Sequence, residues 1–111
     1  MKIDRQSCGT VEVFTPVGAL VDEDAARFAE FLDERLKAAN LRFVIDLHEA
    51  PYLDSVALEG ISTAAAAMEE RSLRLRLVSV TPTCREIFEL TGLSNKLEFF
   101  EDAQDAVRSF L

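Results

Sequence analysis

The chain has 111 residues, 49% of them hydrophobic, and a formal charge of −8 at pH 7. That length predicts one domain, residues 1–111, with enough apolar material for an ordinary core. The acidic balance repels phosphate backbones and anionic lipid headgroups alike, which sets aside nucleic-acid binding and attachment to acidic membranes.

Lys2 to Cys8 reads as a short edge strand anchored by Ile3, and Gly9-Thr10 as the turn after it. Val11 to Val17 is β-branched and aromatic, the composition of a stronger strand, and Pro16 places it at a sheet edge or marks its end. Gly18 opens a loop to a helix begun by Asp22-Glu23-Asp24, whose charges complement the helix dipole. Phe28, Leu32, Leu36 and Ala39 recur at helical spacing as its inward stripe, with Phe31 beside them and Asn40 as the stop. Leu41 to Leu47 is apolar without alternation, as a strand covered on both faces requires. Pro51 ends that region, because it lacks a backbone donor and holds Ala50 extended. Asp54 and Ser55 are both eligible N-caps for a helix running toward Met68, with Leu58, Ile61, Ala65 and Met68 facing inward.

Leu73 to Val80 alternates in its first half and is apolar on both faces in its second, a strand with one wet end. Thr81-Pro82 starts a helix, with Thr83 and Glu86 spaced as an alternative capping box. Ile87, Phe88 and Thr91 face inward, and Gly92 ends the helix in the left-handed region. Leu97 to Phe100 is a last short strand. Asp102 caps a final helix buried through Ala103, Ala106, Val107 and Phe110.

Strands alternating with helices predict an α/β fold: a mostly parallel, mixed sheet of about five strands with about four helices on one face or both. Cys8 and Cys84 form no CxxC and, with a single histidine, no zinc site of the usual kind, so both read as reduced thiols. No apolar run approaches a membrane span, and Met1 to Gln6 has no signal-peptide core; the expected location is the cytoplasm.

In open α/β sheets ligands and partners meet the carboxyl ends of the strands. The loops there are Gly18 to Asp22, His48 to Ser55 and Ser79 to Thr83. Ser55 stands out, because a helix N-terminus offers free N–H groups and a favourable dipole to a phosphate. Its plainer role is a helix cap worth about 1 kcal/mol. Glu49, Asp54 and Glu59 read as a solvated acidic rim and His48 as a polar loop residue. With no G-x-S-x-G elbow, P-loop or G-x-G-x-x-G, the sequence points to no enzyme and no cofactor.

Ile45-Asp46-Leu47 followed by Tyr52-Leu53-Asp54-Ser55-Val56-Ala57-Leu58 resembles the STAS domain family, that of bacterial anti-sigma factor antagonists and of the cytoplasmic tails of sulfate transporters. Downstream, Leu77-Val78-Ser79-Val80 and then Pro82 to Leu93, closing on Thr91-Gly92-Leu93, look like the same family's strand and helix. Upstream, Pro16-Val17-Gly18-Ala19-Leu20 matches part of its Gly-x-Leu-Asp turn. The resemblance implies an anti-sigma factor antagonist: a binding module, not a catalyst. Ser55 then matches the serine phosphorylated by a partner serine kinase that is itself the anti-sigma factor. Asp22, Asp54, Ser55, Val56 and Glu59 form the implied partner surface. The chain departs from the pattern at Ala57, where the family has Gly and where a methyl would crowd a close approach to the backbone. It departs again at Val21, where the family has Asp.

Two rivals remain at this stage. Ile45 to Asp54 loosely resembles a phosphoaspartate receiver with Asp46 as acceptor. That site needs an acidic pair after the first strand to hold Mg²⁺ and a Lys after a late strand. Gly18 to Val21 supplies no pair, and Lys96 precedes its strand. The other rival is a STAS subunit that docks unphosphorylated on a membrane transporter or signalling complex, with Ser55 merely a cap.

Overall fold

The computed structural model describes residues 1–111. Its elements are β1 (Lys2–Cys8), β2 (Val11–Val17), α1 (Asp22–Lys37), β3 (Phe43–Asp46), α2 (Ser55–Glu69), β4 (Leu75–Val78), α3 (Pro82–Leu90), a 3₁₀ turn (Leu93–Lys96), β5 (Leu97–Phe100) and α4 (Ala103–Arg108). The strands form one sheet in the order β1-β2-β3-β4-β5. The β1–β2 pair is an antiparallel hairpin, and the pairs from β2 to β5 are parallel. This is the mixed α/β sheet that the alternation of strand and helix predicts.

Because each crossover steps one strand along in the same direction, right-handed connections leave their helices on one face. Accordingly Phe14, Phe43, Ile45, Leu75, Leu77 and Leu97 point from the sheet toward buried side chains of α1, α2 and α3, such as Phe28, Leu32, Ile61, Met68 and Phe88. The alternate residues Val11, Val13, Val44 and Val78 form a smaller cluster on the opposite face, under Ala106 of α4. With no following strand, α4 is free to close that second face. The wet half of the Leu73–Val80 segment lies there. Arg76 is drawn over the Phe110 ring, 3.7 Å from its centroid, and hydrogen-bonds Ser109.

Several local expectations are corrected. Strand β2 is internal, so of the two readings of Pro16 the strand end holds: β2 stops at Val17 and its pairing with β3 at Phe14. Helix α1 ends at Lys37 rather than at Asn40, whose side chain instead bonds the Thr10 carbonyl and the Arg42 N–H. In α2 the fully buried positions include Ala57 and Ala64, whereas Leu58 is half-buried. Gly92 has a φ of 77° as expected, but it opens the Leu93–Lys96 turn rather than simply ending a helix.

Candidate functional site

The loops leaving β2 and β3 are zipped together before their helices begin. The Gly18 N–H donates to the Glu49 carbonyl at 2.8 Å, Leu20 N–H to Tyr52 at 2.9 Å, and Asp54 N–H to Leu20 at 3.0 Å. Gly18 holds a φ of 100°, a conformation that favours glycine. Leu20 and Leu53, both buried, pair as an isolated parallel bridge and fix the corner to the core.

Asp54 organises what this corner presents. One carboxylate oxygen accepts the N–H groups of Val56 at 3.0 Å and Ala57 at 3.1 Å, a helix cap for α2. The other accepts the N–H of Asp22 at 2.8 Å, thirty-two residues earlier, and so ties the start of α1 to the start of α2. Asp22 has a φ of 51°, a left-handed conformation that Asp tolerates better than most residues and that aims its N–H at Asp54. The Ala57 N–H, helped by those of Asp22 and Val56, holds the Asp54 carboxyl below the usual range, against desolvation acting the other way.

Ser55 is therefore not the cap. It is the first residue of α2, exposed, and its hydroxyl makes no hydrogen bond within the chain. Val56 beside it is 44% exposed and Tyr52 56%, so apolar surface flanks the hydroxyl. Glu59 is exposed one turn further along α2. The five residues expected on a partner surface thus gather about the two helix starts, with Glu59 furthest out. Tyr52, exposed beside them, was not among the residues expected there. Ala57 is fully buried, so its methyl faces the core rather than a visitor, and it crowds no approach to this surface.

Asp46 lies apart from this group, buried on the α4 side of the sheet at the end of β3. Its carboxylate accepts the His48 backbone N–H at 3.0 Å and faces His48 Nδ1 at 2.9 Å. That hydrogen bond raises the His48 pKa above the usual histidine value, with desolvation opposing. No cluster of three acidic, His or Cys side chains converges there or elsewhere. The geometry a phosphoaspartate receiver needs around Asp46 is missing, and Asp46 is instead the partner of His48.

The STAS domain profile matches residues 2–106. The chain belongs to the STAS domain family. Three solved structures share the STAS fold closely. The crystal structure of TM1081 from Thermotoga maritima, described as an anti-sigma factor antagonist, superposes with a TM-score of 0.84 at 19% identity, covering 96% of this chain and 92% of that one. An anti-sigma factor antagonist from Mycobacterium paratuberculosis gives 0.76 at 20% identity, covering 97% and 92%. The Bacillus cell fate determinant SpoIIAA in its phosphorylated form gives 0.76 at 13% identity, covering 99% and 100%. At such identities the likeness establishes the STAS fold alone. Among curated proteins none matches the sequence. No helix of this STAS domain is long and apolar enough to cross a membrane.

Proposed function

We propose that this STAS domain is an anti-sigma factor antagonist: a non-catalytic module that docks on an anti-sigma factor and is released when that partner, acting as a serine kinase, phosphorylates Ser55. The observation that carries the reading is the division of labour at the start of α2. Asp54 takes the capping bonds, so the Ser55 hydroxyl stands exposed with no internal task.

The electrostatics give the switch its sign. A phosphoserine adds roughly −1.5 to −2 charge at neutral pH. At Ser55 it would find the Val56 and Ala57 N–H groups already engaged by a carboxylate held below its usual pKa. The new charge would therefore project outward from a surface that already carries Asp22, Asp54 and Glu59. Unphosphorylated, the Tyr52 and Val56 side chains offer an apolar centre to an interface with an acidic rim. Phosphorylated, the same contact would bury a divalent anion beside carboxylates, which repulsion and desolvation both oppose. SpoIIAA, solved in a phosphorylated form, is consistent with a phosphate on this fold.

The test has two parts. The chain recovered from its own cells is digested and the phosphate mapped by mass spectrometry, with Ser55 expected as the site. Affinity for the kinase found to phosphorylate the chain is then measured by calorimetry. Ser55→Ala should bind as the parent does, and Ser55→Asp at least about tenfold more weakly. Phosphate mapped elsewhere, or equal binding by Ser55→Asp and the parent, would overturn the switch. Equal binding would favour the unphosphorylated STAS subunit of a transporter or signalling complex.

A further inference from the structure

Helices α1 and α2 meet closely where Gly60 faces Ala29. Along this seam they leave an open cleft of about 420 Å³. Leu36 and Val56 give it apolar lining, with the small residues Ala29, Gly60 and Ala64. Its charged lining is all of one sign, supplied by the exposed residues Glu30, Asp33 and Glu59. No Lys or Arg lines it, and α2 carries neither along its whole length. Lys37 reaches Asp33 at 3.1 Å from one turn away, as an exposed pair that a competing cation displaces.

This combination selects among occupants. A second copy of a chain of charge −8 and an anionic bilayer both bring like charge to a carboxylate rim. An uncharged apolar segment would bury those carboxylates without partners, which is costly. A helix with Leu-like side chains on one stripe and Lys or Arg flanking it satisfies both parts of the cleft. We propose that the α1–α2 cleft docks a basic amphipathic helix of a partner protein. Val56 and Glu59 belong both to this cleft and to the surface around Ser55, but the apolar lining and acidic rim are there whether or not Ser55 is phosphorylated.

The probe is a fluorescein-labelled synthetic helix with Leu at i, i+3, i+4 and i+7 and Lys between, titrated into the full chain. Amide shifts in ¹⁵N spectra should concentrate at Ala29, Asp33, Gly60 and Thr63. The double variant Glu30→Lys, Glu59→Lys should weaken binding about tenfold or more. The charge-matched control Glu86→Lys, Glu101→Lys, at exposed positions on elements that do not line the cleft, should leave it within about twofold, because salt screens exposed charges with distance. Thr63→Trp, at an exposed position on the cleft wall, should block binding with net charge unchanged. Equal weakening by the control, or shifts centred elsewhere, would reduce the effect to bulk charge and overturn the proposal. So would sedimentation showing a dimer that Thr63→Trp abolishes, or vesicles of phosphatidylglycerol competing for the cleft. Ser55→Asp adds an acid next to Val56 and so should hold or raise the basic probe's affinity, whereas the Ser55 switch predicts that it weakens kinase binding; failure here and failure of the switch are therefore read separately.

Discussion

Gly60→Ala sets two effects of opposite sign against each other. In a helix interior, replacing Gly by Ala usually stabilises by about 0.5–1 kcal/mol, through lower backbone entropy in the unfolded chain. Here the added Cβ would lie 2.8 Å from the Ala29 Cβ and 3.1 Å from its Cα. Carbon atoms in ordinary contact sit roughly 3.5–4.0 Å apart. Neither Ala29 atom can rotate away, so the helices themselves must part. Overpacking of this kind costs about 1–3 kcal/mol, so the steric effect wins and the net loss should be about 1–2 kcal/mol. With a urea slope of about 2 kcal/mol per molar, the unfolding midpoint should fall by roughly 0.5–1 M at unchanged slope. Adding Ala29→Gly should recover part of the loss, giving a coupling of about 1 kcal/mol or more in the double-mutant cycle. A midpoint that rises in Gly60→Ala, or zero coupling to Ala29, would refute the tight seam.

Ser55→Ala should change stability by less than about 0.5 kcal/mol in the same assay, since its hydroxyl bonds nothing within the chain; a larger loss would return Ser55 to a capping role. Asp54→Asn keeps an acceptor for Val56 and Ala57 but turns an amide toward the Asp22 N–H, so hydrogen exchange should quicken most at Asp22; uniform quickening along α2 would contradict the tie between helix starts. Because the Asp54 pKa is depressed, its contribution to stability is present above the unfolded carboxylate value and lost as pH falls through the folded one. The acid limb of the stability profile should accordingly flatten in Asp54→Asn. His48 is the chain's single histidine, so its ring protons titrate alone in the NMR spectrum. Its midpoint should lie above about 6.5 and return there in Asp46→Asn. The raised value means that the pair stabilises fully below the unfolded pKa and fades as pH rises through the folded one. Identical midpoints in parent and variant would show that Asp46 does not hold the ring.

What was legible in the sequence was local. The strands Val11–Val17 and Leu97–Phe100, the Thr81-Pro82 helix start and the Asp102 cap each follow from a few neighbouring residues, and the structure places them as read. The position of Ser55 at the head of α2 was legible for the same reason. Contacts made across the chain were not legible. Which of Asp54 and Ser55 caps α2 is decided by the bonds from Val56 and Ala57 together with Asp22, thirty-two residues away. Pro16 marked the end of its strand, but whether that strand lay at an edge was left open, because a strand's neighbours are properties of the sheet. Ala57 misled because its direction depends on how α2 is rolled against the core. Asn40 bonded a distant turn instead of ending its helix.

The sheet is laid down in the order of the chain, each strand beside the one before it. No strand has to wedge between two that are already joined, and none waits for a segment from the far end. A nascent chain leaving the ribosome can therefore lengthen its sheet one unit at a time, starting from the β1–β2 hairpin. The Asp22–Asp54 tie can close once the head of α2 has emerged, while β4 is still inside the ribosome. The corner that carries Ser55 is in this sense early, and mutations in α4, which follows all five strands in the chain, should leave its assembly undisturbed.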